Sequence, residues 1–169
     1  QAREAFERYE VTVLSELSNA IEQIDTLAAE KKIKFVVDPF VEEDEDGVWV
    51  LGNGERLERA FVNLLANAVK YSKPGSEVTI EVVNADDEIT IFFIDQGVGI
   101  PGDEVAQVFE PFFRSAAKEL AQERGAGLGL RFVKTVIERH GGSVSVQSTI
   151  GQGSRFAVTL PKLDDSEQE

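Results

Sequence analysis

Apolar residues recur at two different periods along this chain, and the order in which those periods alternate leaves few folds open. Leu14, Leu17, Ile21, Ile24 and Ala28 are spaced by three and four, which marks one buried face of a helix. The spacing returns at Leu57, Phe61, Leu64, Leu65 and Ala68, within a helix expected from Gly54 to Ser72 and stopped by Lys73-Pro74-Gly75. A third helix is expected from Leu128 to about Arg139, ended by Gly141-Gly142. Between them, Ile33–Val37 and Val48–Leu51 read as short strands. Val78, Ile80 and Val82 alternate with polar residues, and a turn at Asn84–Asp87 leads into the apolar run Ile89–Ile94, an antiparallel hairpin. A last hairpin pairs Ser143–Ser148 with Ser154–Leu160. Strands in adjacent antiparallel pairs, with few helical crossovers, exclude a doubly wound fold. The expected architecture is a two-layer α/β sandwich, a mixed, mostly antiparallel sheet with about three long helices on one face.

The 169 residues suit one domain, here expected over residues 11–162 with an acidic polar tail at 163–169. The chain holds 31 acids against 17 bases, a net charge of −14, which argues against nucleic-acid binding and against a basic membrane-surface helix. Asp38 to Asp46 carries six of those acids and Asp164 to Glu169 four, so elsewhere 21 acids face 17 bases. The acidity therefore does not exclude an anionic ligand. The run Glu42–Asp46 lacks the alternating ligand positions of a calcium loop and is expected to be a solvated loop. With no cysteine, disulfides, thiolate zinc sites and cysteine catalysis are excluded. No run is long enough to span a membrane. The absence of methionine suggests a domain excised from a longer protein.

Ten of the 14 glycines lie between Gly97 and Gly153. Gly97 to Gly102 satisfies G-x-G-x-x-G after a strand, but Pro101 interrupts where a dinucleotide fold needs a helix. Gly125-Ala126-Gly127-Leu128-Gly129-Leu130 stands just ahead of the third helix, where free N–H groups favour an anion; taken alone it is equally a hinge. Asn63 and Asn67 lie four apart on the second helix, with Lys70 and Tyr71 a turn further along the same stripe. An amide oxygen suits magnesium and an ammonium suits a triphosphate, although the stripe alone reads more readily as a solvated face.

Four segments occur in one order: Asn63 with Asn67-Ala68-Val69-Lys70-Tyr71-Ser72, then Asp95-Gln96-Gly97-Val98-Gly99-Ile100, then Phe109–Arg114, then Gly125–Leu130. Together they closely resemble the N, G1, F and G2 boxes of the catalytic, ATP-binding domain of sensor histidine kinases. That domain belongs to the gyrase, heat-shock-chaperone, histidine-kinase and mismatch-repair superfamily with the Bergerat-type ATP-binding fold. The resemblance runs from about Glu10 to Pro161. It implies that Asp95 accepts a bond from the adenine amino group, a contact guanine repels with its carbonyl. It also implies that Gly97 and Gly99, with Ile100, keep the wall beside the purine clear. Asn67 would be the magnesium ligand, Lys70 and Arg114 would meet the outer phosphates, and Tyr71 would pack on the nucleotide or its lid. Gly125, Gly127, Leu128 and Gly129 would wrap the phosphates, with Lys118 and Arg124 as helpers from the lid. Phe109, Phe112 and Phe113 would anchor the lid's root.

Superfamily ATPases and serine-directed kinases usually hold a glutamate at the position of Asn63, and asparagine is no general base at neutral pH. The resemblance therefore implies a kinase that holds Mg2+ and ATP without efficient hydrolysis and passes phosphate to a histidine. A stand-alone ATPase, a serine kinase, or a regulatory module without transfer are the alternatives. His140, the only histidine, precedes Gly141-Gly142 at a helix end and is expected to be structural. The acceptor would lie on a dimerisation domain of the same parent, of which residues 1–10 are read as a helix remnant or linker. A response regulator is implied indirectly. The isolated domain is expected to be a cytoplasmic monomer without membrane contact, its parent an inner-membrane sensor.

Overall fold

The structure, a computed structural model, describes residues 7–43, 47–111, 113 and 129–163. Strand β1 (Tyr9–Thr12) leads into helix α1 (Val13–Glu30), whose residues Leu14, Leu17, Ile24 and Ala28 are buried as their spacing predicts. Strand β2 (Lys34–Val37), a single helical turn α2 (Phe40–Glu43) and strand β3 (Trp49–Gly52) follow. Helix α3 (Gly54–Tyr71) starts at Asn53, whose side chain accepts a bond from the Arg56 N–H. Strands β4 (Glu77–Asn84) and β5 (Glu88–Asp95) form the first hairpin. After a 3-10 turn at Val105–Gln107 come helix α4 (Gly129–Arg139) and the hairpin β6 (Ser143–Thr149) and β7 (Gly153–Pro161).

The main sheet has five strands in the order β2-β4-β5-β7-β6, with only the β2–β4 pair parallel. Its inward positions, among them Val78, Ile80, Ile91, Phe93, Phe156 and Val158, pack under Leu57, Phe61, Leu64 and Leu65 of α3. The Phe61 and Phe93 rings lie 6.1 Å apart across this layer. Helix α3 is the middle helix, touching α1 on one side and α4 on the other. The mixed two-layer α/β architecture is as expected.

Three details depart from the sequence pattern. Strand β3 does not join the main sheet; it pairs antiparallel with β1, placing Val11 opposite Val50, both buried. Tyr9 and Glu10 thus belong to a strand, within the segment read as a helix remnant or linker. The acidic loop begins as a helical turn because Asp38 caps it. The Asp38 Oδ1 accepts the Phe40 N–H at 3.1 Å, Oδ2 accepts the Val82 N–H at 3.1 Å, and Pro39 stands at the first helical position. Among the described residues no helix is long and apolar enough to cross a membrane.

Candidate functional site

Strand β5 turns Ile89, Ile91 and Phe93 toward the core, so its period of two places Asp95, the last residue, on the same inward face. Asp95 as a whole is 6% exposed. Burial pushes its pKa up to about 6, partly opposed by backbone N–H groups of Gly97 and Ser154. Both bonds fall on Oδ1, from Gly97 at 2.9 Å and Ser154 at 3.3 Å. Among the described residues no donor meets Oδ2, so that oxygen can accept a bond from a ligand.

The C-terminal turn of α3 docks directly on this strand end. Ser72 forms an antiparallel bridge with Gly97, and the Tyr71 carbonyl accepts the Val98 N–H at 3.3 Å. A Cβ added at Gly97 would lie 2.4 Å from the Tyr71 oxygen and 2.8 Å from Asp95 Oδ1, so this approach requires glycine. At Gly99, φ is +73° and a Cβ would stand 2.1 Å from the Thr149 oxygen. These two glycines are thus needed first for close backbone approach within the fold. The Lys31 Nζ donates to the carbonyls of Val69 (3.1 Å) and Lys70 (2.7 Å), placing a cation at the negative end of α3.

Asn63, Asn67, Lys70 and Tyr71 are all half-buried along one edge of α3, which ends at the Asp95–Gly99 segment. The Lys70 Nζ stands 5.3 Å from the centre of the Tyr71 ring. Ile100 is buried in the core, and its N–H is held by Ser148 Oγ at 2.8 Å. Gly129 opens α4, and among the described residues nothing lies within 4 Å of where a Cβ would be. Phe109 packs edge-on against Phe156 at 6.1 Å and Phe113 lies against the core. Arg114, Gly125, Gly127 and Leu128, with Phe112, Lys118 and Arg124, lie outside the described residues.

Sequence reasoning misses two serines that brace the site. The Ser148 hydroxyl accepts the Ile100 N–H and donates to the Gly153 carbonyl at 3.0 Å. The Ser154 hydroxyl, 2.7 Å away, must therefore be the donor in their pair. Ser154 faces Asp95 across the β5–β7 register and shares the inward face of Phe156, Val158 and Leu160. A polar residue at an inward strand position is the signal that could have found it.

His140 is 4% exposed and uses both ring nitrogens within the fold. Nε2 accepts the Asn53 N–H at 3.0 Å, so Nδ1 carries the proton and donates to the Val136 carbonyl at 2.7 Å. Burial pulls its pKa below the ordinary histidine value. The ring ties the end of α4 to the start of α3, and the site needs both helices in place. His140→Ala is expected to destabilise the domain by about 2–4 kcal/mol, from the cavity and the unpaired Asn53 N–H. Because the folded pKa is lowered, the stability His140 contributes is present above the unfolded value and falls as pH drops below it. Urea denaturation across that range checks both; a variant as stable as the parent would contradict the role.

A family model described as "Histidine kinase-, DNA gyrase B-, and HSP90-like ATPase" matches residues 52–164. The chain belongs to this family. Within it the likeness is to sensor histidine kinases. Sensor protein SrrB of Staphylococcus aureus is 38% identical over 108 residues, which cover 64% of this chain and 18% of that protein. The chain thus matches a minor part of that curated relative's length. Among solved structures, the mycobacterial sensor histidine kinase MprB aligns with a TM-score of 0.77 and 30% identity, covering 92% of this chain and 97% of that one. Full-length ShkA in complex with AMPPNP aligns with a TM-score of 0.75 and 27% identity, covering 95% of this chain and 32% of that one.

Proposed function

We propose that this chain binds Mg·ATP and transfers the γ-phosphoryl group to a histidine on a dimerisation domain, as the catalytic domain of a two-component sensor kinase. The observation that carries this reading is the buried Asp95 carboxylate, fixed through Oδ1 and with Oδ2 open to a donor such as the adenine amino group. The similarity to ShkA, whose structure is a complex with AMPPNP, supports a nucleotide in this fold.

Magnesium fits the residues present. Asn67 gives its side-chain amide to no hydrogen bond among the described residues, so its oxygen can serve as a ligand. Among those residues no group of three or more acids or histidines could hold the ion, which would rely on phosphates and water for its other ligands. When bound, the ion supplies positive charge to the phosphates. Lys70 and Arg114 offset charge on the outer phosphates. Gly125, Gly127, Leu128 and Gly129 wrap the phosphate chain at the start of α4. Asn63 orients the reactants without removing a proton, since phosphoryl transfer needs positioning and charge stabilisation more than a base. His140 has both nitrogens committed, so the acceptor is another histidine. A response regulator would receive the phosphate next, and we take the domain itself to be monomeric and cytoplasmic.

The test supplies this chain with a dimerisation domain and labelled ATP. Acid-labile, base-stable label on that domain, and none on the chain alone, is the expected result. Tight ATP binding without transfer would favour a regulatory module, and rapid hydrolysis or serine label would favour the ATPase or serine-kinase alternative.

A further inference from the structure

Helix α3 ends without the left-handed glycine that commonly closes a helix, because Ser72 leaves it in extended backbone, with ψ at 149°. Its last four carbonyls, those of Ala68, Val69, Lys70 and Tyr71, must find donors beyond the helix. The Ala68 oxygen takes the Ser72 N–H at 3.1 Å, and the Tyr71 oxygen takes the Val98 N–H at 3.3 Å. Pro74 has no N–H to offer the Lys70 oxygen, and the Gly75 N–H turns away to the Lys31 carbonyl at 3.2 Å. The Val69 and Lys70 oxygens are both taken by one ammonium, Lys31 Nζ, at 3.1 and 2.7 Å. A single residue at the end of α1 thus completes the cap of α3 with its side chain and holds the following turn with its main chain.

Lys31 is itself held in place. The Ile33 N–H returns to the Ala28 carbonyl at 2.8 Å and the Lys32 N–H to the Ala29 carbonyl at 3.0 Å, while Lys32 takes a left-handed φ of +57°. This is the tight helix ending that glycine commonly supplies, and it fixes the backbone from which the Lys31 side chain starts. What the ammonium grips is the turn of α3 that carries Lys70 and Tyr71 and meets Gly97 through Ser72. We propose that Lys31 is a positioning residue for the nucleotide: by capping α3 it sets where Lys70 and Tyr71 stand, and it acts on the phosphates through them. The inference rests on the reading of this site as an ATP site and adds to it a residue outside the four motif segments. Without the cap, two partly buried carbonyls lose their donor and the negative end of α3 loses the charge facing it, so the last turn loosens.

The test compares Lys31→Met, which keeps an unbranched stem and removes the donors, with Lys31→Arg, which restores donors and charge, in the 169-residue chain. The nucleotide-free proteins are measured by NMR relaxation and urea denaturation, then titrated with ATP and with AMP. In Lys31→Met, backbone order parameters at Lys70, Tyr71 and Ser72 should fall from about 0.85 toward about 0.6, while Phe61 to Leu65 in the middle of the same helix stay rigid. A general loss of stability would shift the urea midpoint and leave those order parameters alone. ATP affinity should fall about five- to tenfold, the scale of a lost hydrogen bond, and AMP affinity should hold because AMP lacks the outer phosphates. Lys31→Arg should keep the parent's values in both measurements. Unchanged order parameters or unchanged ATP affinity in Lys31→Met overturns the proposal, as does an equal loss for ATP and AMP. So does a Lys31→Arg variant that behaves like Lys31→Met. A parent chain that binds neither nucleotide would sink the reading of the site and the positioning role with it, whereas loosening of Lys70 to Ser72 would still assign the cap to Lys31.

Discussion

Asp95→Asn is expected to lose about 100-fold or more in ATP affinity while the nucleotide-free domain becomes more stable above neutral pH. The affinity loss follows from exchanging a charge-assisted acceptor for a neutral amide, a difference of about 2–3 kcal/mol. The stability gain follows from burial. The fold raises the Asp95 pKa from 3.8 to about 6. A raised carboxyl pKa contributes stability that is fully present below the unfolded value and is lost as pH rises through the folded one. At higher pH the ionised group therefore costs the fold about 3 kcal/mol, an upper figure for what asparagine recovers. Asparagine can keep Oδ1 as acceptor for the Gly97 and Ser154 N–H groups, so the bridge to α3 should survive. Two measurements check this: ATP titration, and denaturation at pH values above and below the interval. The parent should also lose ATP affinity as pH falls through about 6, a dependence the variant should lack. Unchanged ATP affinity in Asp95→Asn would remove the basis for placing adenine at this carboxylate.

Much of this was legible in sequence, and the reasons differ from element to element. Helices α1 and α3 are marked by apolar spacing, and β4 with β5 by alternation followed by a turn, because burial on one face imposes those periods. Asp95 was visible through motif order, but its burial could also have been read from parity with Ile89, Ile91 and Phe93. What stayed hidden depends on contacts distant in sequence. Strand β1 carries too few residues to show a period, and its partner β3 lies beyond α1 and β2. Lys31 reaches the carbonyls of Val69 and Lys70 across the α1–α3 interface, which no local spacing encodes. Gly97 and Gly99 were identifiable as special positions, but what they approach, the Tyr71 and Thr149 carbonyls, needs the tertiary arrangement. The glycines therefore combine a fold constraint with any constraint from a ligand, and substitution there cannot separate the two. Gly97→Ala would move the same N–H that holds Asp95.

Asn67→Ala separates them cleanly, because the Asn67 amide has no bond in the fold among the described residues to lose. Helix α3 should be as stable as before or slightly more so, since alanine is the better helix former by about 0.5 kcal/mol. The functional loss should be large. Transfer of label from ATP to a supplied dimerisation domain should slow by about 100-fold, the usual scale for removing one electrostatic contributor to a charged transition state. Nucleotide affinity should divide according to the ion. With a chelator present, parent and variant should bind ADP equally, because the end of the site proposed to hold the base, around Asp95 and Gly97, is untouched. With magnesium present, the parent should gain ATP affinity and the variant should gain much less. Equal magnesium dependence in the two proteins would mean that Asn67 does not hold the ion. If transfer nevertheless slowed, the amide would act on the phosphates themselves, and Asn63, one turn earlier on the same edge of α3, would become the next residue to test for the ion.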